Sequence, residues 1–457
     1  MSKINPISGF PEWLPGQRLV EQYVLDRIRV TFELYGFAPL ETRAVEPLDQ
    51  LLSKGETSKE VYLLRRLQAA GEGAQDELGL HFDLTIPFAR YVVENAGKLH
   101  FPFRRYQIQK VWRGERPQEG RYREFTQADI DVVDRDTLPF HYEAELPLVI
   151  GDALGGLPIP PVRIQVNNRK LCEGFYRGIG IRHPEAALRA IDKLDKIGPA
   201  AVAALLVESA GATEAQAKAC LALAEISSTD ASFADAVAGL GVRDPLLDEG
   251  VAELVRVIET GNGYAPGLLV ADLKIARGLD YYTGTVYETQ MRGYERFGSI
   301  CSGGRYDNLA TSGTDRFPGV GISIGVTRLL GLLFGAGALT ASRPVPTAVL
   351  VALADEESRP VSDRIAAALR ARGIPTEVAP TPAKYGKQIR FAERRGIPYV
   401  WFPESGQVKD IRSGEQAPAD PSSWTPPAAD LTPQVRSAGA RLEESPGQDD
   451  AREGAAP

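Results

Sequence analysis

The chain has 457 residues, of which 43% are hydrophobic and 25% are charged, with a formal net charge of −8. This length predicts two or three domains, and the acidic balance argues against a DNA-coating or anionic-membrane protein, though not against one RNA met through local basic patches. No apolar run approaches the roughly 20 residues that span a bilayer and the N-terminus lacks a signal-peptide core, so we expect a cytoplasmic protein.

The first 174 residues are predicted to form helices and paired strands. Apolar residues recur at helical spacing over 17–35, and Gly36 follows where such a helix can end. The remaining patterns predict strands over 37–40, 61–66, 80–85 and 162–167 and helices over 87–96 and 143–154.

The segment 103–131 is the most informative part of the chain. Strand-like residues at 106–112 and from 122 onward flank a polar loop at 114–120, which is typical of a β-hairpin. Residues 103–123 hold seven Lys or Arg and two Glu, a local balance of +5. Because guanidinium groups fit phosphate oxygens in pairs, we interpret this hairpin as a site for a small phosphorylated ligand. A solvated charged hairpin is the alternative.

Residues 175–262 are rich in Ala, Leu, Glu and Asp and nearly lack strand signals, which predicts a helical insertion. Strand signals return at 268–276, 285–290 and 320–326, and a helix is predicted over 327–334. The segments 1–174 and 263–340 together therefore predict one domain of largely antiparallel hairpins with a few helices, an α+β pattern.

A linker is predicted at 341–347. After it the secondary-structure pattern changes, and strands and helices alternate over 346–433. This pattern predicts a small α/β domain with a parallel or mixed sheet. Residues 384–412 hold seven Lys or Arg against three acids, a net +4, which suits either an RNA backbone or a solvated face. The segment 434–457 has the composition of a disordered tail.

Three arginines are candidates for chemistry. The chain has no P-loop, no dinucleotide fingerprint and no serine nucleophile elbow. Arg113, Arg277 and Arg328 each lie beside a glycine or a strand signal. Because an unpartnered buried guanidinium is costly, these residues indicate an anionic ligand or structural ion pairs.

Polar residues cluster at 277–288, where Arg277, Asp280, Tyr281 and Tyr282 lie close to glycines. Such a cluster suits a small polar substrate, with a tight aromatic turn as the alternative. Residues 302–307 are interpreted as a second, glycine-rich polar turn. The scattered histidines and the absence of Cys-x-x-Cys spacing predict neither a zinc site nor disulfides, so we interpret the cysteines as small buried residues.

On these motifs the chain resembles the histidyl-tRNA synthetases, a family of class II aminoacyl-tRNA synthetases. Residues 113–125 resemble the second class II motif, and 321–328 resemble the third, with Thr327 where many members have Glu. Residues 17–47 resemble the first motif, which lies at the family's dimer interface. Residues 277–282 and 302–306 match two signatures peculiar to this family, and the resemblance covers roughly 10–425.

The resemblance implies a class II synthetase-type antiparallel-sheet catalytic domain with a helical insertion, plus a small α/β C-terminal anticodon-binding domain. It implies ATP-dependent attachment of histidine to tRNA(His) through a histidyl-adenylate, with Mg²⁺ as a cofactor and a homodimer as the assembly. Contact of the insertion with the tRNA acceptor arm is a further expectation.

Residue roles follow from the resemblance as well. Arg113 would bind the α-phosphate of ATP and the histidine carboxylate. Glu115 and Phe125 would hold the adenine. Arg328 would contact the other face of the adenine and the γ-phosphate. Arg277 would lie against the α-phosphate, where other class II enzymes rely on a metal ion. The implied histidine-binding set is Asp83, Thr85, Arg113, Gln127, Asp131, Arg277, Tyr281 and Tyr282, and no residue is assigned as a metal ligand.

Two alternatives belong to the same superfamily. One is a non-catalytic, synthetase-like regulatory subunit of ATP phosphoribosyltransferase, but such proteins usually lack the C-terminal domain and lose signature residues that are present here. The other is a class II synthetase for glycine, proline or threonine, against which the signature at 277–282 argues.

Overall fold

The computed structural model describes residues 5–52, 60–65, 78–276 and 281–438. The chain divides into two compact units, Met1–Leu332 and Leu333–Pro457. Within the described residues, no helix is both long and apolar enough to cross a bilayer.

The first unit contains the following elements in chain order: α1 (Pro15–Leu34), β1 (Ala38–Pro39), β2 (Val45–Pro47), α2 (Leu48–Leu52), β3 (Tyr62–Leu64), β4 (Leu78–Leu80), α3 (Thr85–Asn95), β5 (Phe103–Trp112), β6 (Glu124–Val133), α4 (His141–Gly155), β7 (Val162–Asn168), α5 (Arg169–Gly178), α6 (Pro184–Ile191), α7 (Leu194–Ala210), α8 (Glu214–Ala224), β8 (Ser227–Ser228), α9 (Phe233–Gly239), α10 (Pro245–Tyr264), β9 (Leu269–Asp272), β10 (Thr285–Met291), β11 (Cys301–Ser312), β12 (Asp315–Gly325) and α11 (Val326–Gly335), whose last residues lie in the second unit.

A nine-stranded sheet with the order β1-β5-β6-β12-β11-β10-β7-β9-β8 forms the centre of the first unit. Every neighbouring pair is antiparallel except β1–β5 and β7–β9. Helix α1 forms because apolar residues recur every four positions, and it buries Val20, Val24, Ile28 and Phe32 completely. This antiparallel-dominated sheet with flanking helices confirms the predicted α+β class.

The helical insertion is bounded by α5 and α10 and contributes one short strand. Ser227–Ser228 pairs with β9 and forms one edge of the large sheet, so the segment 175–262 is not wholly helical. All three cysteines are buried and free, as predicted. Burial raises the pKa of each thiol to about 12, so the thiols are protonated at neutral pH.

The prediction of a turn at 302–307 is wrong, because these residues lie inside the twelve-residue strand β11. A Cβ atom on Gly303 would come within 2.1 Å of the carbonyl oxygen of Gly321 on the neighbouring strand. Glycine here therefore permits close strand pairing instead of marking a turn. Two further boundaries differ from prediction: β4 covers 78–80 instead of 80–85, and β12 begins at 315 instead of 320.

The second unit contains β13 (Leu339–Ala341), β14 (Val349–Val351), α12 (Arg359–Ala371), β15 (Thr376–Val378), α13 (Tyr385–Arg394), β16 (Tyr399–Phe402), β17 (Gln407–Asp410), β18 (Gln416–Pro418), α14 (Ala428–Leu431) and β19 (Val435–Ser437). Its sheet has the order β15-β14-β16-β17-β18 and is mixed, with the first three strands parallel. Because α12 packs with Val349, Val351 and Trp401 while α13 packs with Leu350 and Val400, the two helices cover opposite faces.

The prediction that the disordered tail begins at residue 434 places its start too early in the chain. Strand β19 pairs antiparallel with β13, with Leu339 opposite Ser437 and Ala341 opposite Val435. Residues 434–438 are therefore ordered by a backbone ladder that composition alone does not reveal, and 439–457 lie outside the described residues.

Candidate active site

One face of the large sheet carries an unusual row of polar side chains. Residues directly opposite each other on neighbouring antiparallel strands point to the same side. The register aligns one residue from each of five strands in the row Gln107, Asp129, Ser323, Ser302 and Glu288. Since a sheet normally buries apolar side chains, a polar row at its centre indicates a binding surface.

A cavity of about 250 Å³ is lined by two residues of this row, Ser302 and Ser323. It contains five of the residues that the sequence assigns to ligand binding, and these are Arg113, Glu115, Phe125, Gln127 and Arg328. The rest of its wall is formed by Gly120, Arg121, Tyr122, Ser299, Ile300, Cys301, Ser302, Ser323 and Gly325. Arg277 lies outside the described residues.

Arg113 is held at the end of the β5–β6 hairpin. Its Nε donates to the carbonyl of Phe82 at 3.0 Å and lies 4.0 Å from the carboxylate of Glu60. The guanidinium carbon stands 5.2 Å from the ring centroid of Phe125. These contacts fix the guanidinium plane beside an aromatic face in the cavity, as recognition of a planar anion requires.

The polar loop of the hairpin is tied by its own arginines. Arg123 Nε donates to the Glu115 carbonyl at 3.1 Å, and Arg121 reaches the Glu115 carboxylate at 3.5 Å. On another wall of the cavity, the Arg328 guanidinium donates to the Phe297 carbonyl. Two aromatic rings and three guanidinium groups thus line one cavity, which suits a base carrying phosphates.

Asp131 is committed to two partners inside the protein. Its carboxylate contacts Arg105 at 2.6 Å and accepts a hydrogen bond from the Tyr306 hydroxyl at 2.7 Å. A Cβ atom on Gly321 would stand 2.0 Å from the same carboxylate, so only glycine fits opposite it. Burial raises the Asp131 pKa to about 6, although the Arg105 charge opposes the rise.

Asp129 lies two residues earlier on the same face and is 2% exposed. Its Oδ1 has no hydrogen-bond partner in the parts of the chain that the structure covers. Burial raises the Asp129 pKa to about 7, and the charge of Asp131 adds to the rise while Arg105 and a hydrogen bond from Ser323 oppose it. Gln127 donates to Ser323 at 2.8 Å, and its own Oε1 also has no described partner.

Asp83 and Thr85 lie at the start of α3. Asp83 Oδ1 accepts from the Ile86 amide at 3.1 Å, and burial raises the Asp83 pKa. The rings of Tyr281 and Tyr282 meet edge to face with centroids 4.5 Å apart. Burial above all raises the pKa of both phenols, and the charge of Asp129 adds to the rise in each, so both are neutral at pH 7.

Sequence patterns missed the buried groups that hold these side chains. Arg105 is fully buried, with its guanidinium carbon 4.2 Å from the ring centroid of Phe88. The only signal for it was the strand alternation of the hairpin, which places Arg105 on the same side as Gln107. Thr327, noted as a departure from the third motif, accepts a hydrogen bond from the Thr126 amide at 2.8 Å. It therefore joins the helix after β12 to the start of β6.

Comparisons with known proteins agree with these features. The family model described as "Histidyl-tRNA synthetase" matches residues 9–329. A histidine–tRNA ligase of Micrococcus luteus is 59% identical over 453 residues, which cover 95% of this chain and 99% of that protein. The crystal structure of histidyl-tRNA synthetase from Nostoc is 36% identical with a TM-score of 0.80, covering 91% of this chain and 97% of that one.

A more distant structure shares the fold alone. The protein from Bacillus halodurans named as an ATP phosphoribosyltransferase regulatory subunit/histidyl-tRNA synthetase is 18% identical, with a TM-score of 0.69. The match covers 82% of this chain and 92% of that one.

Proposed function

This chain belongs to the histidyl-tRNA synthetase family, and from that premise we propose that it is a histidine–tRNA ligase. It activates histidine with ATP to a histidyl-adenylate and then transfers histidine to tRNA(His), releasing AMP and pyrophosphate. The supporting observation is the single cavity that combines Arg113, Phe125 and Arg328 and adjoins the buried polar row.

The nucleotide occupies the cavity. Phe125 stacks on the adenine, Glu115 accepts from its amino group, and Arg328 covers its other face and meets the γ-phosphate. Arg113 and Arg277 hold the α-phosphate. The loop contacts of Glu115 and the carbonyl anchors of Arg113 and Arg328 support these roles, since they set each group before ligand arrives.

Histidine lies further along β6. Asp83 and Thr85 hold its amino group, Arg113 its carboxylate, and Gln127 its backbone. The imidazole lies against Tyr281 and Tyr282 with Asp131 below. The neutral phenols support this arrangement, as does the Oε1 of Gln127, which has no hydrogen-bond partner among the described residues, because these groups are available for directed hydrogen bonds.

The chemistry of activation needs no general base. The histidine carboxylate is already ionised at pH 7 and attacks the α-phosphorus, and pyrophosphate leaves. Negative charge grows on the equatorial and leaving oxygens. Guanidinium groups that are fixed in advance stabilise this charge without reorganising, and positioning of the two reactants supplies much of the remaining rate.

Mg²⁺ fits this site as an ion carried by the triphosphate. Among the residues that the structure describes, no group of three or more His, Cys, Asp or Glu side chains is placed to hold a metal ion. Mg²⁺ commonly keeps its waters and binds through substrate phosphates with one or two carboxylates. When bound, the ion screens the charge of the phosphates.

The α/β domain at 346–433 reads the anticodon. Lys387, Arg390 and Arg394 are exposed and recur on one side of α13, where they can meet a phosphate backbone. Part of the local positive charge is already neutralised, because Arg395 pairs with Glu377, and Arg412 pairs with Asp410 and Asp430.

The enzyme works as a cytoplasmic homodimer. Leu14, just before α1, and Val30 and Leu34 in that helix are 71%, 49% and 81% exposed. Apolar side chains of this size exposed near one helix suit a subunit interface. Sedimentation of the purified chain tests this assembly, and a monomer at micromolar concentration would contradict it.

ATP–pyrophosphate exchange with each of the twenty amino acids tests the activity. Histidine alone is expected to support exchange, and the same preparation should charge tRNA(His). Exchange with another amino acid would identify a different synthetase. Absence of exchange with all twenty would favour the regulatory-subunit alternative, which the high identity to named ligases supports less.

A further inference from the structure

Residues 9–13, here called the support segment, lie just before α1 and contact the β5–β6 hairpin. The Gly9 carbonyl oxygen accepts hydrogen bonds from two successive amides of the hairpin, those of Arg123 at 2.7 Å and Glu124 at 3.1 Å. At this point the polar loop ends and β6 begins. One carbonyl group thus joins a separate part of the chain to the strand that leads into the cavity.

Arg123 connects the support segment to both sides of the hairpin. Its carbonyl accepts a hydrogen bond from the Arg113 amide at 2.8 Å, and its Nε donates to the Glu115 carbonyl at 3.1 Å. Glu115 lines the cavity. The contact at Gly9 therefore reaches the cavity wall through a single residue, whose amide, carbonyl and side chain all form hydrogen bonds within the hairpin or to the support segment.

Position 9 has no room for a side chain. Gly9 has a φ of +85°, a left-handed conformation that favours glycine. A Cβ atom there would come within 2.8 Å of Pro117 Cγ and 2.9 Å of Arg123 Cγ. Since Pro117 belongs to the polar loop, Gly9 contacts the loop and the strand after it together. A larger residue has to displace the loop or break the two hydrogen bonds.

Aromatic side chains form a second connection. The ring of Trp13 meets the ring of Tyr122 edge to face, with centroids 6.2 Å apart, and Tyr122 lines the cavity. The ring of Phe10 meets that of Tyr62 in β3 in the same manner, also at 6.2 Å. Contacts at Gly9, Phe10 and Trp13 thus hold the support segment along its whole length.

We propose that Gly9 and Trp13 are positioning residues for nucleotide binding. Gly9 fixes the loop at Glu115 by way of Arg123, and Trp13 fixes the ring of Tyr122. Both residues order the adenine-facing wall of the cavity before ATP arrives, which lowers the entropic cost of binding. This assignment rests on the proposed histidine–tRNA ligase activity, which the two residues serve without touching ATP.

The effect is expected to be confined to the nucleotide. The guanidinium of Arg113 has a separate anchor, the Phe82 carbonyl at 3.0 Å. The proposed histidine-binding residues Gln127 and Asp131 lie further along β6. Displacing the support segment should therefore weaken binding of ATP and leave binding of histidine unchanged.

ATP–pyrophosphate exchange by the full chain tests this, with KM determined separately for ATP and for histidine. Gly9→Ala should raise KM for ATP about tenfold, which corresponds to the loss of about two net hydrogen bonds, while KM for histidine stays unchanged. It should also weaken the preference for ATP over purine riboside 5′-triphosphate. That analogue lacks the 6-amino group from which Glu115 accepts, so a change in preference reports the position of the loop.

Matched glycine variants separate this effect from backbone strain. Gly211→Ala, after α7, introduces a side chain at a φ of +68° with nothing in the described parts of the chain within 4 Å of its Cβ. Gly97→Ala likewise meets no described atom and has no left-handed φ. Both variants should keep the wild-type KM for ATP.

A second pair of variants addresses the aromatic contact. Trp13→Phe retains a ring against Tyr122 and should keep the wild-type KM for ATP, whereas Trp13→Ala should raise it about fivefold. Circular dichroism verifies the fold of every variant. If Gly9→Ala does not fold, the comparison of the two Trp13 variants decides the question.

The outcomes distinguish this proposal from the activity on which it rests. If wild type supports no histidine-dependent exchange, the ligase activity is contradicted, and Kd for ATP from calorimetry replaces KM in the same comparison. If Gly9→Ala and Trp13→Ala both bind ATP as wild type does, the positioning role is wrong. An equal rise of KM for ATP and for histidine would also overturn it, because general destabilisation has that effect.

Discussion

Arg105 shows how one residue can organise a site without contacting a ligand. Its guanidinium is fully buried, where an unpaired cation would be expensive. The ion pair with Asp131 and the ring of Phe88 offset that cost. Because the same cation acts on Asp129, the residue couples two carboxylates whose pKa values burial has raised.

Asp129 should make stability depend on pH. Its pKa is about 7 when folded against 3.8 as the ordinary value, so the folded protein takes up a proton that the unfolded chain has released between those pH values. The contribution of Asp129 to the free energy of unfolding therefore decreases as pH rises toward 7. Asp129→Asn does not titrate and should not show this decrease. The difference in free energy of unfolding, variant minus wild type, should therefore be larger at pH 8 than at pH 5 by on the order of 1–4 kcal/mol.

Urea unfolding at the two pH values measures this difference. The other titratable groups around Asp129 are unchanged in the variant. They are Arg105 on β5, Asp131, Asp83 before α3, Tyr281 and Tyr282. A gap between variant and wild type that does not change with pH would show that Asp129 titrates as an ordinary carboxylate.

Arg277 provides a second test at this scale. Since the resemblance places it against the α-phosphate, Arg277→Ala should reduce histidine-dependent pyrophosphate exchange by at least about 1,000-fold while the protein stays folded. Arg316→Ala, at an exposed position of β12, serves as the matched control. Near-normal exchange in Arg277→Ala would remove this residue from the mechanism.

Elements with a clear hydrophobic period were predictable from the sequence. Helix α1 lies close to the predicted range 17–35, because it buries a regular apolar stripe. Strand β11 was missed because its glycines and polar residues, which serve close pairing and the site, imitate a turn. The hairpin of β17 and β18 was also missed, since its strands are short and largely polar.

The site was only partly predictable for a related reason. Motifs identify Arg113, Gln127 and Asp131 because those residues are local in sequence. The partners that hold them come from strand register: Tyr306 reaches Asp131 across 175 positions of the chain, and Ser323 reaches Gln127 across 196. No local pattern contains that information.

Helix α13 carries the element-scale prediction. Replacing Lys387, Arg390 and Arg394 together by Gln should raise KM for tRNA(His) in charging about tenfold or more, because phosphate contacts are lost. ATP–pyrophosphate exchange should not change. The triple exchange Lys387→Arg, Arg390→Lys and Arg394→Lys keeps the charge and should retain charging. Equal charging by the neutral and the charge-retaining triple variants would show that this face does not bind tRNA.

At the scale of the whole molecule, the two compact units predict separable activities. The cavity and the polar row lie entirely in Met1–Leu332. Removing residues 345–457 should therefore leave adenylate formation detectable by exchange but impair tRNA charging severely. Full charging by the truncated protein would mean that the α/β domain does not read the anticodon.

The pairing of β13 with β19 has a consequence for biosynthesis. The ribosome makes Leu339–Ala341 long before Val435–Ser437, yet each strand completes the ladder of the other. The small sheet can close only when translation is nearly finished. Until then, a nascent chain carries an open strand edge that other polypeptides can capture, so slow elongation or stalling near the 3′ end of the message should favour aggregation.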